Sequence, residues 1–273
     1  MNPKISIITV NYNDKAGLQK TIKSVADQSY KDFEFFVIDG DSTDGSKKLL
    51  EENVALFTHW LSEPDRGIYH AMNKGIKMAT GEYLLFLNSG DSLYNADVLK
   101  TVNHEINGAH DIYYGDIIYD EISKQTVRTF PDRLTFGFFY EHNLSHQASF
   151  IRRTLFDEFF YYNESFKIVS DWEFFIYAIC KKDVPYQHIN SILTNYDATG
   201  LSSNVDNHVG MRKERAATLD KYFPAFKDDY ILYPELQQKR TKQFLFLKQN
   251  KVAWRVLKTC MSTIQFFLPK QKG

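Results

Sequence analysis

The sequence has few cysteines, no long apolar run and, from Lys239 onward, no acidic side chain. Cys180 and Cys260 lie far apart and outside any Cys-x-x-Cys or Cys/His spacing, which indicates ordinary reduced residues in a reducing cytosol. No uninterrupted apolar stretch approaches the ~20 residues that cross a bilayer. No basic and then apolar leader precedes the strand-like run after Met1. We therefore expect a cytoplasmic chain that is not exported through a signal peptide and does not span the membrane.

Charge is distributed unevenly along the chain, although 33 Lys and Arg nearly balance 34 Asp and Glu. Residues 1–238 carry 24 basic and 34 acidic side chains, whereas residues 239–273 carry nine Lys or Arg and no acid. The acidic body argues against nucleic acid as the main partner. The basic tail needs a separate explanation.

Two nucleotide-binding motifs are also missing. No Gly-x-Gly-x-x-Gly follows the first strand-like run, which disfavours a dinucleotide-dependent dehydrogenase. No glycine-rich basic loop of the nucleotidyltransferase kind lies near the N-terminus. The 273 residues, with 22 Phe and 17 Tyr, are nevertheless typical of a folded chain with one large domain, or one domain and an appendage.

Strand and helix patterns alternate in the first half. Apolar, β-branched runs predict strands at 5–10, 33–38, 57–61 and 83–87, and apolar residues at helical spacing predict helices near 18–26, 46–53 and 68–79. This alternation predicts an α/β fold whose central sheet is mostly parallel and flanked by helices. Open sheets of this kind bind ligands outside the carboxyl ends of their strands. Asp39 and the segment 88–91 follow two of these strands and should share that edge.

The second half is less regular. A strand is expected at 111–120, and the aromatic stretch 130–160 is interpreted as mixed. The segment Ser170 to Glu173 is typical of a capping box, with Ser170 as N-cap and Glu173 at N3. It predicts a helix that turns four apolar side chains inward, namely Trp172, Phe175, Ile176 and Ile179.

The fourth predicted strand runs into a tight polar turn, Asn88-Ser89-Gly90-Asp91, which contains one carboxylate. A divalent cation bound to a diphosphate takes one or two protein carboxylates, and phosphate oxygens and waters complete its ligands. Asp91 suits that role. The same four residue types are the commonest turn formers, so on its own the segment is equally well explained as an ordinary turn.

An ordered series of short segments lies in roughly the first 95 residues, namely 6–13 (SIITVNYN), 24–25 (SV), 28–30 (QSY), 37–46 (VIDGDSTDGS), 62–69 (SEPDRGIY), 71–75 (AMNKG), 81–83 (GEY) and 87–91 (LNSGD). Weaker matches of the same series follow at 145–153 (SHQASFIRR) and 170–173 (SDWE). Taken together, these segments resemble family 2 glycosyltransferases of the GT-A fold. The resemblance is strongest to bacterial members that act on capsule, lipopolysaccharide or exopolysaccharide.

The resemblance implies an inverting, metal-dependent glycosyltransferase that uses a nucleoside diphosphate sugar, with a UDP-sugar as the first expectation. Residues 1–205 would form the GT-A domain, with a nucleotide-sugar half at 1–95 and an acceptor half at 96–205. Residues 206–273 would form a helical, basic extension. The acceptor would be a hydroxyl of a bacterial surface glycan or of a lipid-linked saccharide. The alternative is a non-catalytic, membrane-associated binding or scaffold module that retains the fold.

The resemblance also assigns residues to the donor. Thr9, Asn11, Asp39 and Asp41 would contact the nucleoside, and Asp39 would accept an N–H from the base edge. The remaining donor-side residues would meet the sugar and phosphates, and are Asp65, Arg66, Asn73, Lys74, Asn88 and Ser89. The cofactor would be Mn²⁺ or Mg²⁺. Asp91 would be its main protein ligand, because Asn88 stands where many relatives carry the first acid of Asp-x-Asp. Asp65, Arg66, Asn73 and Lys74 are equally typical of solvated residues near a helix start.

Asp171 matches the catalytic base of the family. A carboxylate there would take the proton of the acceptor hydroxyl as its oxygen attacks the anomeric carbon. An acid in a first helical turn also stabilises the helix dipole without any catalytic role. His146, Gln147 and Trp172 are assigned to an acceptor pocket, although a lone histidine beside aromatic residues is more often structural.

The tail has one apolar stripe at helical spacing, flanked by Lys251, Arg255 and Lys258. The stripe consists of Trp254, Leu257, Met261, Ile264 and Leu268. A basic amphipathic helix of this kind indicates a membrane surface, here through residues 239–270, on which a lipid-linked acceptor would lie. The same stripe is also explained by docking on the protein's own core or on a second copy in a homo-oligomer.

Overall fold

Four parallel strands form the first half of the central sheet in this computed structural model, which describes residues 5–121, 124–198, 200, 205–226 and 233–268. They lie in the order β3-β2-β1-β4 and are β1 (Ile5–Asn11), β2 (Phe33–Asp39), β3 (His59–Ser62) and β4 (Tyr83–Phe86). Every residue of β1 and β4 is buried, as expected for strands covered by helices on both faces.

Helices α1 (Lys15–Ala26), α2 (Ser46–Glu52) and α3 (Ile68–Met78) alternate with these strands, and α4 (Val98–Glu105) follows. Each buries apolar side chains on one side, and in α1 these are Leu18, Ile22 and Val25, at the predicted spacing. Helix α3 packs closely on the sheet, because a Cβ at Gly75 would lie 2.4 Å from Ile8 Cγ2. The polar residues between strand and helix are thereby held at one edge of the sheet.

Beyond β4 the sheet becomes mixed. The order continues with β8 (Ser149–Arg152), β6 (Ile112–Glu121), β9 (Tyr186–Asp197) and β5 (Ser92–Leu93), while β7 (Lys124–Arg128) pairs with β6. Only β6 and β9 run parallel here; the other described pairings in this half are antiparallel. The predicted α/β class is confirmed, with a sheet that is parallel in its first half and mixed in its second.

The stretch that was hard to interpret contains α5 (Phe136–Glu141), a 3-10 turn at His146–Ala148, strand β8 and α6 (Thr154–Glu158). Helix α7 (Ser170–Ile176) follows, continues into a π turn at Tyr177–Lys181, and all its residues are buried. Helix α8 (His208–Tyr222) comes after β9.

The predicted capping box at α7 is wrong in one respect. The N-cap residue is Val169, whose carbonyl accepts from the Glu173 N–H at 2.8 Å, and Ser170 is already helical. The Ser170 hydroxyl instead accepts a hydrogen bond from the Asn163 N–H. The side chain that satisfies the N–H groups before α7 comes from Glu214, which is distant in sequence.

The chain divides into two compact units, residues 1–218 and 219–273. In the second, a 3-10 turn (Pro224–Phe226) precedes α9 (Tyr233–Gln237), α10 (Lys239–Lys248) and α11 (Lys251–Phe267). The Asn250 side chain caps α11 by accepting from the N–H groups of Val252 and Ala253, both at 3.0 Å. Among the residues described, no helix has the length and apolarity to cross a bilayer.

A buried carboxylate joins three segments of the parallel half. Glu34 of β2 accepts from the Ser6 hydroxyl at 2.6 Å and from the N–H groups of Thr80 and Gly81, both at 2.9 Å. These contacts connect β1 and β2 to the turn between α3 and β4. The geometry of the sheet edge thus depends in part on one side chain.

We predict that Glu34→Ala lowers the free energy of unfolding by about 3 kcal/mol, because it leaves several buried donors without an acceptor. Urea denaturation of wild type and variant measures the change, and Glu51→Ala, an exposed glutamate of α2, is the matched control. Equal unfolding midpoints for Glu34→Ala and wild type would contradict the role given to this network.

Candidate active site

A cavity of about 1130 Å³ opens where the first strands end. One part of the cavity wall contains residues at or just after the carboxyl ends of β1, β2 and β4, including Asn11, Asp41, Asn88 and Asp91. Another part comes from the second half of the same unit and includes residues 141–147, 167–169, 171 and 172 together with Arg215. The cavity is at least as large as most small-molecule sites, at ~300–1,000 Å³. Its position agrees with the predicted edge of the sheet.

Two residues assigned to the nucleoside, Thr9 and Asp39, are buried outside the described lining of the cavity. Asp39 is fully buried, and its Oδ1 accepts from Asn11 Nδ2 and the Ser42 hydroxyl, both at 2.6 Å. Its Oδ2 accepts from the Ser42 N–H at 3.0 Å and the Ser62 hydroxyl at 2.7 Å. The four lone-pair sites of the carboxylate are therefore engaged within the protein. The Thr9 hydroxyl donates to the Leu87 carbonyl at 2.7 Å. Both side chains join strand ends, and direct contact with a nucleoside stays a prediction for both.

Five other predicted donor residues line the cavity: Asn11, Asp41, Asp65, Asn88 and Ser89. Asp41 is exposed and has a positive φ of 64°. Ser89 is fixed by donating its hydroxyl to Asn11 Oδ1 at 2.8 Å. Asp65 lies against the end of β2, because a Cβ at Gly40 would be 2.6 Å from Asp65 Oδ2. This wall is thus rich in acceptors for hydroxyl and N–H groups of a ligand.

The remaining donor-side predictions are engaged elsewhere. Arg66 forms an ion pair with Glu164, and Lys74 forms one with Glu63 at 2.8 Å. Asn73 is buried, donates to the Tyr162 carbonyl at 2.8 Å and accepts from the Tyr162 N–H at 3.0 Å. Arg66, Asn73 and Lys74 lie outside the described lining of the cavity. Their contact with phosphate or sugar stays a prediction.

Asp91 is buried beside a second carboxylate. Its Oδ1 accepts from the Asp197 N–H at 2.9 Å, and burial raises the pKa of Asp91 to about 7, against the opposing effects of that hydrogen bond and of His146 and Gln147. Between Asn88 and Asp91, Gly90 has a φ of 94°. A Cβ there would also lie 2.6 Å from Asp197 Oδ2, so only glycine fits the turn.

The residues around Asp91 could hold a divalent cation whose remaining ligands come from elsewhere. In the described parts of the chain, no cluster of three His, Cys, Asp or Glu side chains could hold a metal ion by itself. Asp91 and Asp197 offer two carboxylates, and the buried Asn88 Oδ1 has no hydrogen-bond partner among the described residues. One or two carboxylates suffice for a cation whose other ligands are phosphate oxygens and water. The site therefore suits a metal that arrives with a diphosphate.

Asp171, the predicted base, is buried at the cavity wall. Its Oδ2 accepts from Asn143 Nδ2 at 2.9 Å and lies 3.0 Å from His146 Nδ1, and its Oδ1 accepts from the Tyr69 hydroxyl at 3.2 Å. Burial acts to raise the pKa of Asp171, but the hydrogen bonds and the charge of His146 outweigh it and hold the pKa below its usual value. Asp171 is therefore a carboxylate that stays ionised.

The three residues assigned to the acceptor pocket also line the cavity. His146 connects two other predicted residues, because its Nε2 lies 3.2 Å from Asn88 Nδ2 while its Nδ1 faces Asp171. Gln147 hydrogen-bonds Asp91. Trp172 Nε1 donates to the Phe139 carbonyl at 2.7 Å, which fixes the ring. The structure thus brings Asp91, His146 and Asp171 into one connected wall.

Four residues of this site are not predicted from the sequence: Tyr69, Asn143, Asp197 and Arg215. Tyr69 lies inside a matched segment, but the resemblance assigns it no role. Asp197 ends β9 and Arg215 lies in α8, and neither has a local pattern that distinguishes it from a surface residue. Only the long-range packing brings them to the cavity.

Comparison with known proteins gives the family. The model described as "Glycosyl transferase family 2" matches residues 6–166, more than half of the chain. A "PGL/p-HBAD biosynthesis glycosyltransferase" of Mycobacterium tuberculosis is 36% identical over 211 residues, which is 74% of this chain and 80% of that protein. The "GalNAc(5)-diNAcBac-PP-undecaprenol beta-1,3-glucosyltransferase" of Campylobacter jejuni is 26% identical over 179 residues, 60% of this chain and 58% of that one.

Solved structures share the fold. Staphylococcus aureus TarS 1-349 in complex with UDP-GlcNAc has a TM-score of 0.60 at 21% identity, over 71% of this chain and 58% of that one. In a longer TarS structure, the match covers 36% of that chain. The mannosyltransferase PcManGT of Pyrobaculum calidifontis, in complex with GDP-Man and Mn²⁺, has a TM-score of 0.62 at 15% identity, over 96% and 81%. These similarities confirm the GT-A fold. The family model and the mycobacterial relative show that the chain belongs to glycosyl transferase family 2.

Proposed function

We propose that the protein transfers a sugar, with inversion, from a nucleoside diphosphate donor to a hydroxyl of a bacterial surface glycan or lipid-linked saccharide. The observation that carries the proposal is the single cavity in which ionised Asp171 faces the same space as the Asn88 to Asp91 turn. The names of the relatives from M. tuberculosis and C. jejuni, and the UDP-GlcNAc bound to TarS, support a glycolipid acceptor and a UDP-sugar donor.

The reaction would proceed by direct displacement. Asp171 accepts the proton of the acceptor hydroxyl while that oxygen forms a bond to the anomeric carbon. The bond from this carbon to the diphosphate breaks on the opposite face, and the diphosphate leaves with the electron pair. His146 and Asn143 keep Asp171 oriented and ionised. Mn²⁺ or Mg²⁺, held by Asp91 and Asp197, would neutralise charge on the leaving diphosphate.

We expect Asp171→Asn to reduce turnover by ~10²–10⁴-fold, because the amide cannot accept the proton. Release of UDP or GDP from a panel of nucleotide sugars, with water as acceptor, measures the rate. Circular dichroism and UDP binding should be unchanged, since the amide retains the size of the side chain. Asp157→Asn, at an exposed acid outside the cavity lining, is the matched control and should keep wild-type turnover.

Two outcomes would separate the competing interpretations. Wild-type turnover in Asp171→Asn would overturn Asp171 as the base. A wild-type chain that binds UDP but hydrolyses no donor, with or without Mn²⁺, and transfers none to saccharide acceptors would instead support the non-catalytic scaffold.

The raised pKa of Asp91 makes cation binding dependent on pH. With a pKa of about 7, Asp91 is largely protonated below pH 7 and must lose that proton to bind a cation. We expect the affinity for Mn²⁺ at saturating UDP to fall about tenfold per pH unit below 7 and to level off above it. Calorimetry measures this affinity, after correction with titrations of free UDP at each pH.

Asp91→Asn is the control for this measurement, because the amide does not titrate. It should bind Mn²⁺ weakly and with no pH dependence beyond that of UDP itself. The same pH profile in wild type and Asp91→Asn would show that Asp91 is not a ligand.

We also propose that α11 binds the anionic surface of the cytoplasmic membrane. Several of its apolar side chains are exposed, with Val252 73% and Phe266 83% accessible, whereas Trp254, Leu257 and Met261 of the predicted stripe are half-buried. Lys251, Arg255 and Lys258 are exposed on the same helix, and no acid occurs after residue 238. Exposed apolar and basic groups on one helix suit insertion between anionic headgroups.

We expect the triple variant Lys251→Gln, Arg255→Gln and Lys258→Gln to weaken binding to vesicles of phosphatidylcholine and phosphatidylglycerol by ~10²-fold, at ~1 kcal/mol per charge. Cosedimentation measures the binding, with phosphatidylcholine vesicles as the uncharged comparison. Neutralising three exposed lysines of the first unit, Lys31, Lys47 and Lys100, should have little effect. A wild-type chain that does not bind anionic vesicles but dimerises through α11 would contradict the membrane proposal.

A further inference from the structure

The cations that line the cavity are not those predicted from the sequence. Arg66 and Lys74 are paired with glutamates outside the described cavity lining. The Lys and Arg side chains in the described lining are Arg128, Lys167 and Arg215. Arg128 and Lys167 are exposed, whereas Arg215, in α8, is half-buried. Arg215 is therefore the cation that the fold holds inside the site.

Arg215 stacks on Trp172, and one of its buried donors has no partner among the described residues. Its guanidinium carbon lies 4.8 Å from the ring centroid of Trp172, and the hydrogen bond to the Phe139 carbonyl fixes that ring. Its Nε is buried and finds no hydrogen-bond partner in the part of the chain that the structure describes. Such an unused buried donor is costly unless a ligand satisfies it.

Glu214, the residue before Arg215, fixes helix α8 to the segment that precedes α7. The Glu214 carboxylate accepts from the N–H groups of Lys167, Ile168 and Val169 at 2.7, 3.1 and 3.1 Å. These three residues directly precede α7, which carries Asp171 and Trp172. Three hydrogen bonds to an ionised side chain are strong enough to set where α8 lies.

We propose, resting on the function proposed above, that Arg215 binds the donor's diphosphate and that Glu214 is a positioning residue that holds α8 for this purpose. A diphosphate is the ligand whose chemistry fits, because a guanidinium presents a planar fork of donors that matches phosphate oxygens. The described cavity wall otherwise carries several carboxylates, including Asp41, Asp65, Asp91, Asp171 and Asp197. A polyanionic ligand in such a cavity needs a fixed cation, and Arg215 supplies it.

The test measures the binding of uridine, UMP and UDP, and of guanosine, GMP and GDP, to the full chain by calorimetry. Arg215→Ala should weaken binding of the diphosphate of the preferred base by ~10–100-fold, the effect of losing hydrogen bonds to a charged group. Binding of the nucleoside should not change, since it has no phosphate. Arg215→Lys should recover part of the loss, because it restores the charge but not the fork. Arg212→Ala, at an exposed arginine of the same helix, should match wild type.

Glu214→Gln tests the positioning role. It should weaken diphosphate binding by a smaller factor and add little in the double variant with Arg215→Ala, because both changes remove the same contact. Equal diphosphate affinity in wild type and Arg215→Ala would overturn this inference alone. An equal loss for nucleoside and diphosphate would overturn it as well, since it would show a general disturbance of α8. A wild-type chain that binds no nucleoside diphosphate would overturn the proposed function and this inference together.

Discussion

Asp171 is a buried carboxylate, and its charge is stabilised by groups from several parts of the chain. Tyr69 comes from α3, while Asn143 and His146 come from the irregular segment before β8. Arg215, from α8, adds a nearby positive charge. An ionised carboxylate at this depth is stable only while these partners remain, because loss of one leaves buried charge uncompensated. The site therefore depends on contacts between α3, from the first half of the chain, and the segment before β8, α7 and α8, from the second half.

The contrast with Asp91 shows how the cavity separates two carboxylates by environment. Asp171 has hydrogen-bonding partners on both oxygens and the charge of His146 beside Oδ2, so its pKa lies below the usual value. Asp91 is buried with a single backbone donor on Oδ1, and its pKa rises to about 7. Two carboxylates with opposite shifts in one cavity suit two different roles. A proton acceptor that is always ionised and a metal ligand that ionises on binding are the roles proposed for them.

The fold could be predicted best where the sequence pattern is local. Strands buried on both faces, such as β1 and β4, produce uninterrupted apolar runs, and their bounds lie within one residue of prediction. The third strand was placed at 57–61 but begins at His59, because Phe57 packs its ring against Phe35 outside the strand. The antiparallel pairing of β8 with β4 and β6 joins segments far apart in sequence, and no local periodicity encodes it. For the same reason the Ser170 cap was wrong.

In the candidate site, too, the residues within matched segments could be predicted, whereas their contacts and the residues placed by long-range packing could not. Asp91, His146, Asp171 and Trp172 were assigned by resemblance and do meet at one cavity. Thr9, Asp39 and Asn73 were assigned to the ligand in the same way, but each is buried and bonded within the protein. A sequence motif identifies the residues that a site requires. It does not distinguish residues that contact the ligand from residues that connect the strand ends by hydrogen bonds. Arg215 was not predicted, since its placement depends on Glu214 bonding N–H groups some 45 residues earlier.

The electrostatics of the cavity also constrain the order of events that the proposed function requires. A wall with this many carboxylates repels a diphosphate unless positive charge accompanies it or is already fixed there. Arg215 provides fixed charge, and a cation bound to the diphosphate would provide the rest. Once the donor is bound, the extra positive charge near the turn at Gly90 favours ionised Asp91, while Asp171 keeps its own partners. Under the proposed function, Asp171 is therefore ionised before and after the donor binds, so that donor binding would prepare the leaving group without altering the proposed proton acceptor.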